Sequence, residues 1–435
     1  WEHHGEQAPG RNLNFRLDSA ETRRLVKQWL AELVPLFASP YVHAGCDELF
    51  TLGMGNSGDL MRREGFEKTL AGYLNEIAGH LKSMGKRMMM YADMPIHYPE
   101  LRDMLDDEII LTNWNYGKLH EAYEADNHHF SRHLDVCAKH ENWVVGNCMA
   151  EYALTPFSRL EANTAAWLDL GAESKADGFI VSDWGTGENS NPFVLTLLGS
   201  IYILQKINDR NYSLQDFAAE ASNIIIGRRN ADFEQAFKFL ITAQGNDKYF
   251  DDLRVSDLRG PFFSALFLSS PQSKAIHRIL GAVSREGIVA FVRDAEAAAA
   301  MIGKIAPDAT SEPELFRDII ALARRTQVVA LRALLCYDRV WDTGSAWNTE
   351  KDIAPRLEML NEYRALARED IKWYQELWNK DNLESCRDRC ICLLEAAMRE
   401  MDDAVVFMDN ARNHFTPGAF LPSSNTFNQT IKHKT

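Results

Sequence analysis

His43-Ala44-Gly45-Cys46-Asp47-Glu48 closes a short apolar run and sets two adjacent carboxylates beside a histidine. Val34 to Phe37 and Tyr41-Val42 ahead of it are apolar, and Leu52 to Ser57 behind it form a glycine-containing turn region. The pattern predicts a buried strand from Tyr41 to Gly45 that opens into a loop, with both carboxylates at the mouth of the fold. Enzymes built from alternating strands and helices carry their catalytic residues at such strand ends.

Working outward, Ala20 to Phe37 has helical spacing, with Leu25, Val26, Trp29, Leu30 and Leu33 on one side. Downstream, Phe66 to Met84 reads as a helix, Arg87 to Met94 as a strand, Tyr98 to Leu105 as a short helix and Glu108 to Trp114 as a strand. Phe130 to His140 reads as a helix, Asn142 to Met149 as a strand, Leu160 to Leu170 as a helix, Gly178 to Asp183 as a strand and Phe193 to Ile207 as a helix. Strands alternating with helices, the strands apolar on both faces, predict an α/β barrel with parallel strands. Five strands can be counted where a (β/α)8 barrel needs eight.

Past Asn208 the pattern turns to amphipathic helices. Ser213 is the expected N-cap of Leu214 to Ile226, followed by Asp232 to Ala243, Ser273 to Ser284, Ile288 to Ile302, Pro313 to Tyr337, Pro355 to Trp378 and Leu383 to Met408. Thr416 to Thr435 is polar, holds Pro417 and Pro422, and reads as a loose tail. The expected organisation is a partial barrel over 1–207, an all-α helical domain over 208–415 and a polar tail over 416–435.

A chain of 435 residues, 46% of them hydrophobic, can bury a large core and suggests two or more domains. A net charge of -15 without a basic run argues against nucleic acid and against an anionic membrane surface, so the expected partner is neutral or weakly charged. Phe193 to Leu204 is too short an apolar stretch to span a bilayer, and no membrane anchor is expected. Seven cysteines without a C-x-x-C pair read as buried structural thiols, not as disulfides or a zinc site. His3-His4 and His128-His129 lie in polar loops and read as surface histidines. H-E-x-x-H, P-loop and G-x-G-x-x-G motifs are all missing, and no metal or cofactor is expected. The chain begins at Trp1 without a signal-peptide pattern, so its start is expected to have been lost or processed.

H-x-G-x-D-E over His43, Gly45, Asp47 and Glu48, followed by L-x-x-L-G-x-G from Leu49 to Gly55, resembles the glycoside hydrolase family 20 hexosaminidases, more closely their bacterial and hexosaminidase D-like branch. Ser182-Asp183-Trp184-Gly185, leading into Asn191-Pro192-Phe193, is similar to the D-W-G segment of the same group. The resemblance runs from Asn12 to Lys206 and implies a TIM-barrel-type catalytic domain whose Asp-Glu pair ends the fourth strand. On that reading the five countable strands are strands 4 to 8. The open side of such a barrel exposes strand edges and apolar faces, to be covered by a missing N-terminal segment or by a second chain in an oligomer.

Cleavage of a glycosidic bond needs a proton for the leaving oxygen and stabilisation of charge at the anomeric carbon, tasks usually given to two carboxyl groups. Asp47 and Glu48 are such a pair. Neighbours on a strand point to opposite faces, but the twist at a strand end can bring both into one pocket. Like charges held close would also raise the pKa of one partner, as a proton donor at neutral pH requires. The resemblance implies a retaining β-N-acetylhexosaminidase acting on terminal β-linked GlcNAc or GalNAc of an N-acetylhexosamine-containing glycan. Glu48 would be general acid and then base, and Asp47 would orient the 2-acetamido group, whose oxygen attacks to give an oxazolinium. Substrate-assisted enzymes of this kind depart from the two-carboxylate rule.

Further site residues follow. His43 either hydrogen-bonds the carboxylates or is a satisfied core histidine. Trp114, Tyr116 and Trp184 end strands and suit the apolar C–H face of a pyranose, with ordinary packing as the alternative. Tyr91 and Asp93 stand where the family often has Trp-x-Asp, and Tyr152 is the nearest match to the tyrosine that contacts the acetamido carbonyl. Thr186 replaces a carboxylate that binds sugar hydroxyls, leaving Asp183 or Glu188 to serve, and the arginine of the first strand has no counterpart. The competing reading is a carbohydrate-binding homologue with impaired turnover.

Overall fold

The computed structural model describes residues 14–49, 51–114, 140–149, 160–173, 175–183, 193–242, 284–337 and 350–381, with positions 399, 402, 405, 406 and 409. The helix expected from Phe130 lies outside these residues apart from His140, as does the one expected from Ser273 apart from Ser284; the polar tail lies wholly outside. The chain divides into two compact units, one of Trp1–Gly146 with Ala162–Ser182 and one of Asn147–Glu161 with Asp183–Thr435.

The first unit opens with helix α1 (Ala20–Leu33), capped by the Ser19 side chain, which accepts the Thr22 N–H. Then come β1 (Tyr41–His43), α2 (Gly58–Glu64), α3 (Phe66–Ser83), β2 (Arg87–Tyr91), α4 (Asp93–His97), α5 (Pro99–Met104) and β3 (Ile110–Trp114). β4 (Asn142–Met149), α6 (Leu160–Glu173) and β5 (Gly178–Asp183) follow, with Asn147–Met149, Leu160–Glu161 and Asp183 counted in the second unit. The strands form one sheet in the order β1-β2-β3-β4-β5, and the first three neighbouring pairs are parallel. A doubly wound sheet reverses its strand order at a switch point, whereas strands laid down strictly in sequence wind one way, as in a section of a β/α barrel.

Register divides the residues of the sheet between two faces. His43 pairs with Met89, Met89 with Ile110, and Tyr91 with Thr112, so these side chains and Trp114 share one face. Val42, Met88, Met90 and Leu111 share the other and pack into a core with Leu70, Leu74, Ile77 and Leu81 of α3. Leu70, Leu74 and Leu81 are almost wholly buried, each contributing about 1.5–3 kcal/mol of transfer free energy, which is what docks α3 on the sheet. Buried Trp167 on α6 caps Val144 of β4 on the same helix-covered face.

The element limits follow the sequence pattern closely, with several physical differences; α1, expected to reach Phe37, ends at Leu33, where a 3-10 turn holding Pro35 takes over. β1 stops at His43 because Gly45 turns into the left-handed region at φ 72°. β2 stops at Tyr91, and Asp93, expected inside the strand, begins α4. Helix α2 is too short to show a period and was not expected.

In the second unit the described chain from Phe193 on is helical: α7 (Phe193–Asn208), α8 (Leu214–Ile226), α9 (Ala231–Thr242), α10 (Arg285–Gly303), α11 (Pro313–Tyr337) and α12 (Glu350–Asp381). Ser213 and Asp216 form a reciprocal capping box on α8. Aromatic rings tie the helices together: Tyr202 to Phe217 at 5.4 Å, Phe217 to Phe237 at 5.5 Å and Phe233 to Phe316 at 6.2 Å between centroids. Arg325 on α11 meets Asp370 on α12 at 3.2 Å and lies over the Trp373 ring. α12 begins five residues before Pro355, which therefore sits inside the helix and not at its first turn. Among the described residues no helix is long and apolar enough to cross a membrane.

Candidate active site

Beyond β1 the chain stays fastened to β2 for two more residues, through Ala44 N–H to Met89 O at 2.8 Å and Tyr91 N–H to Gly45 O at 3.0 Å. It then turns sharply. Gly45, Cys46 and Glu48 have φ values of 72°, 68° and 52°. Glycine takes this conformation freely, while for Cys46 and Glu48 it costs on the order of 1–2 kcal/mol each. Strain of this kind persists where surrounding contacts over-determine it, and it concentrates at functional sites. One such contact is the Glu48 N–H bond to Asp93 Oδ2 at 2.7 Å.

The turn removes the alternation that would have sent neighbouring carboxylates to opposite faces. Asp47 and Glu48 both line a cavity of about 810 Å³ between β1, α1 and α3. Glu48 is exposed at this cavity and Asp47 half-buried. His43, Cys46 and Tyr73 line it too, and Leu30, Leu70 and Met88 supply apolar wall.

His43 satisfies both ring nitrogens away from the carboxylates. Nδ1 accepts the Gly45 N–H at 3.1 Å, which leaves the proton on Nε2, and Nε2 lies 2.8 Å from Thr112 Oγ1. The Thr112 hydroxyl in turn donates to Met90 O at 3.0 Å. The chain of donors fixes a neutral tautomer, and burial lowers the His43 pKa against the opposing pull of the Asp47 charge. The ring keeps its other side open and begins a row of three: His43 to Tyr91 at 4.4 Å and Tyr91 to Trp114 at 6.2 Å between centroids. These rings stand at the carboxyl ends of β1, β2 and β3.

Asp93 carries the raised carboxyl pKa of this corner. Burial pushes it up to about 6, the Glu48 N–H pulls it down, and the charge of Asp47 pushes it up again. Burial also lifts the Cys46 thiol to about 12, with Asp47 and Asp93 adding to the effect, so Cys46 is a protonated, inert thiol whose Sγ donates to Ala44 O. Tyr91 is raised by burial first and by Asp47 and Asp93 after it. Asp47 thus acts electrostatically on His43, Cys46, Tyr91 and Asp93 together.

The structure brings together Asp47, Glu48, His43, Tyr91, Asp93 and Trp114 of the expected site. Tyr116, Tyr152, Trp184 and Glu188 lie outside the described residues, and Asp183 ends β5 with only its backbone described. Thr112 was missed by sequence reasoning. Its signal was present: it is a polar residue that directly follows the apolar run Ile109 to Leu111, two positions before Trp114 and hence on the same face. Gly53 and Gly55, noted in the motif, belong to a tight turn. Ser57 in that turn accepts the Leu17 N–H at 2.9 Å, and a side chain on Gly58 would collide with the Gly53 carbonyl. Among the described residues no group of three or more His, Cys, Asp and Glu is placed to hold a metal ion.

No curated protein matches the chain. Among solved structures it is similar to a GH138 enzyme targeting pectin rhamnogalacturonan II, with a TM-score of 0.51 at 8% identity over 90% of this chain and 65% of that one. The chain therefore spans less than two thirds of that structure, and at this identity the likeness is one of fold. Residues 3–138, which contain all six of the clustered residues, match the family model of the glycosyl hydrolase family 20 catalytic domain, a domain of TIM-barrel type.

Proposed function

We propose that the chain is a retaining β-N-acetylhexosaminidase-type glycoside hydrolase that releases terminal β-linked GlcNAc or GalNAc by substrate-assisted catalysis. The observation that carries this reading is the strained turn that puts Asp47 and Glu48 on one cavity within a segment matching the family 20 catalytic domain. Glu48, the exposed member, protonates the leaving oxygen and then takes the proton from the attacking water. Asp47 orients the 2-acetamido group and stabilises the positive charge of the oxazolinium, which forms when the acetamido oxygen attacks the anomeric carbon and the glycosidic bond breaks. His43, which lines the cavity, offers a stacking surface for the sugar, Tyr91 and Trp114 continue the ring row on the same face of the sheet, and the family resemblance adds Tyr116, Tyr152, Asp183, Trp184 and Glu188 as proposed sugar contacts.

A carbohydrate-binding homologue without turnover is favoured by a different observation. β1 is the outer strand of the described sheet, flanked by the exposed side chains Leu36 and Phe37. Among the described residues no strand pairs with the free edge of β1.

Hydrolysis of 4-nitrophenyl N-acetyl-β-D-glucosaminide and its galacto epimer, with a thiazoline that mimics the oxazolinium as inhibitor, separates the two. Inhibitable release of nitrophenol supports the hydrolase. Thiazoline binding without release supports the binding protein, and failure of both removes the substrate-assisted reading.

A further inference from the structure

We propose that Asp93 is the positioning residue of Glu48: its carboxylate holds the Glu48 backbone N–H and with it the left-handed turn that presents the Glu48 side chain to the cavity. The kinetic part of this inference rests on the hydrolase reading, and its structural part stands alone.

The turn from Gly45 to Glu48 is anchored at its start by Ala44 N–H to Met89 O and Tyr91 N–H to Gly45 O. Beyond Gly45, the bond from Glu48 N–H to Asp93 Oδ2 ties it to the corner between β2 and α4. Glu48 gains nothing intrinsic from φ 52°, since the region favours glycine and asparagine, so the conformation needs an external hold. Asp93 is suited to give one because its own base is immobile. Ala92 N–H bonds Thr112 O at 3.0 Å, Ile96 N–H bonds Ala92 O at 3.0 Å, and Met94, Pro95 and Ile96 are buried. A carboxylate accepting a backbone N–H at 2.7 Å is a charge-assisted bond, stronger than its neutral counterpart. The groups acting on this carboxyl are the Asp47 charge and the Trp114 side chain; with a pKa of about 6 it is mostly ionised at neutral pH. Oδ2 faces the Glu48 N–H and Oδ1 is buried from solvent, so the carboxylate is turned to the backbone of the turn and not to the open cavity.

The test compares Asp93→Ala, which removes the acceptor, with Asp93→Asn, which keeps an uncharged one. In Asp93→Ala, kcat for the chromogenic hexosaminide should fall roughly 100-fold with KM changed less than about threefold, and Asp93→Asn should recover most of that loss. Amide exchange of the segment holding Glu48 should quicken about tenfold in Asp93→Ala and stay protected in Asp93→Asn. In wild type labelled with 15N-glutamate, the Glu48 amide should titrate with Asp93, and Asp93→Asn should abolish that titration, a readout that does not need the alanine variant to fold. A raised KM at unchanged kcat would make Asp93 a sugar ligand and overturn the proposal, as would a Glu48 amide indifferent both to pH and to substitution. If wild type fails to turn over, the hydrolase reading falls, and the exchange and titration results decide the positioning role by themselves.

Discussion

His43 on β1 and Thr112 on β3 are hydrogen-bonded at 2.8 Å although β2 runs between their strands. Adjacent strands lie about 4.8 Å apart, so two strand spacings separate the backbones, and side chains standing upright on a flat sheet would not meet. The contact therefore reports a sheet curled towards this face. It also makes His43 a clamp across the mouth of the site, below the turn that carries the carboxylates.

Thr112→Val keeps the shape of the side chain, leaves His43 Nε2 without the Thr112 hydroxyl and removes the hydroxyl bond to Met90 O. A loss of about 1–3 kcal/mol of unfolding free energy is expected, read by urea denaturation.

The same clamp gives a pH dependence. Burial holds the folded His43 pKa below its ordinary value, so the unfolded chain binds the proton more tightly. Its contribution to stability is intact above the ordinary histidine value and is lost as pH falls through it towards the lower folded value. His43→Gln should therefore flatten the stability profile between about pH 7 and pH 5 relative to wild type, and parallel profiles would mean that His43 is not desolvated.

Asp93 has the opposite sign. A carboxyl raised from 3.8 to about 6 binds its proton more tightly when folded, so ionising it costs stability as pH rises across that window. Asp93→Asn should gain on wild type by up to roughly 3 kcal/mol between pH 4 and pH 7, at about 1.4 kcal/mol per pH unit, less what the weaker hydrogen bond to Glu48 gives back. Unfolding curves at three pH values check it. A carboxylate kept at such a cost, when the amide would be more stable, fits a group retained for the site and not for the fold.

These relationships mark where sequence reasoning stops. The limits of β4 and of α11 and the N-cap of α8 were legible because apolar runs, helical periodicity and a Ser-x-x-Asp cap are local signals. Of the six clustered site residues, His43, Asp47, Glu48 and Trp114 were named at strand ends, and Tyr91 and Asp93 from the family resemblance. The role of each was not, because the bonds that define those roles join residues 45 and 69 positions apart. That both carboxylates meet one cavity depends on Glu48 adopting a backbone conformation that its residue type disfavours, and no local pattern announces it.

Glycines in the turn behind the motif separate strain from collision. Gly65 has φ 91° with open space around it, so Gly65→Ala should cost about 1 kcal/mol from backbone strain alone. Gly58 has an ordinary helical backbone, but a methyl there would press on the Gly53 carbonyl, which cannot rotate away as a side chain can. Gly58→Ala should cost more than Gly65→Ala and should shift the turn that holds Leu17 through Ser57. Equal losses in thermal denaturation would mean that the turn relaxes freely.

Glu48→Gln is the decisive change for the chemistry. It keeps the volume, the backbone N–H bond to Asp93 and one acceptor oxygen, and removes the proton that the leaving group needs. Turnover of a hexosaminide with a sugar leaving group should fall by about 10²–10⁴-fold, while thiazoline affinity changes by only a few-fold because Asp47 and the ring wall are untouched. The 4-nitrophenyl substrate, whose acidic leaving group needs little protonation, should lose far less in its first step. That difference distinguishes loss of an acid from loss of the site: a collapsed cavity slows both substrates alike and abolishes thiazoline binding. A Glu48→Gln protein with undiminished rate on both would remove Glu48 from the acid role and leave Asp93, the raised carboxyl held against its backbone, as the proton donor to test next.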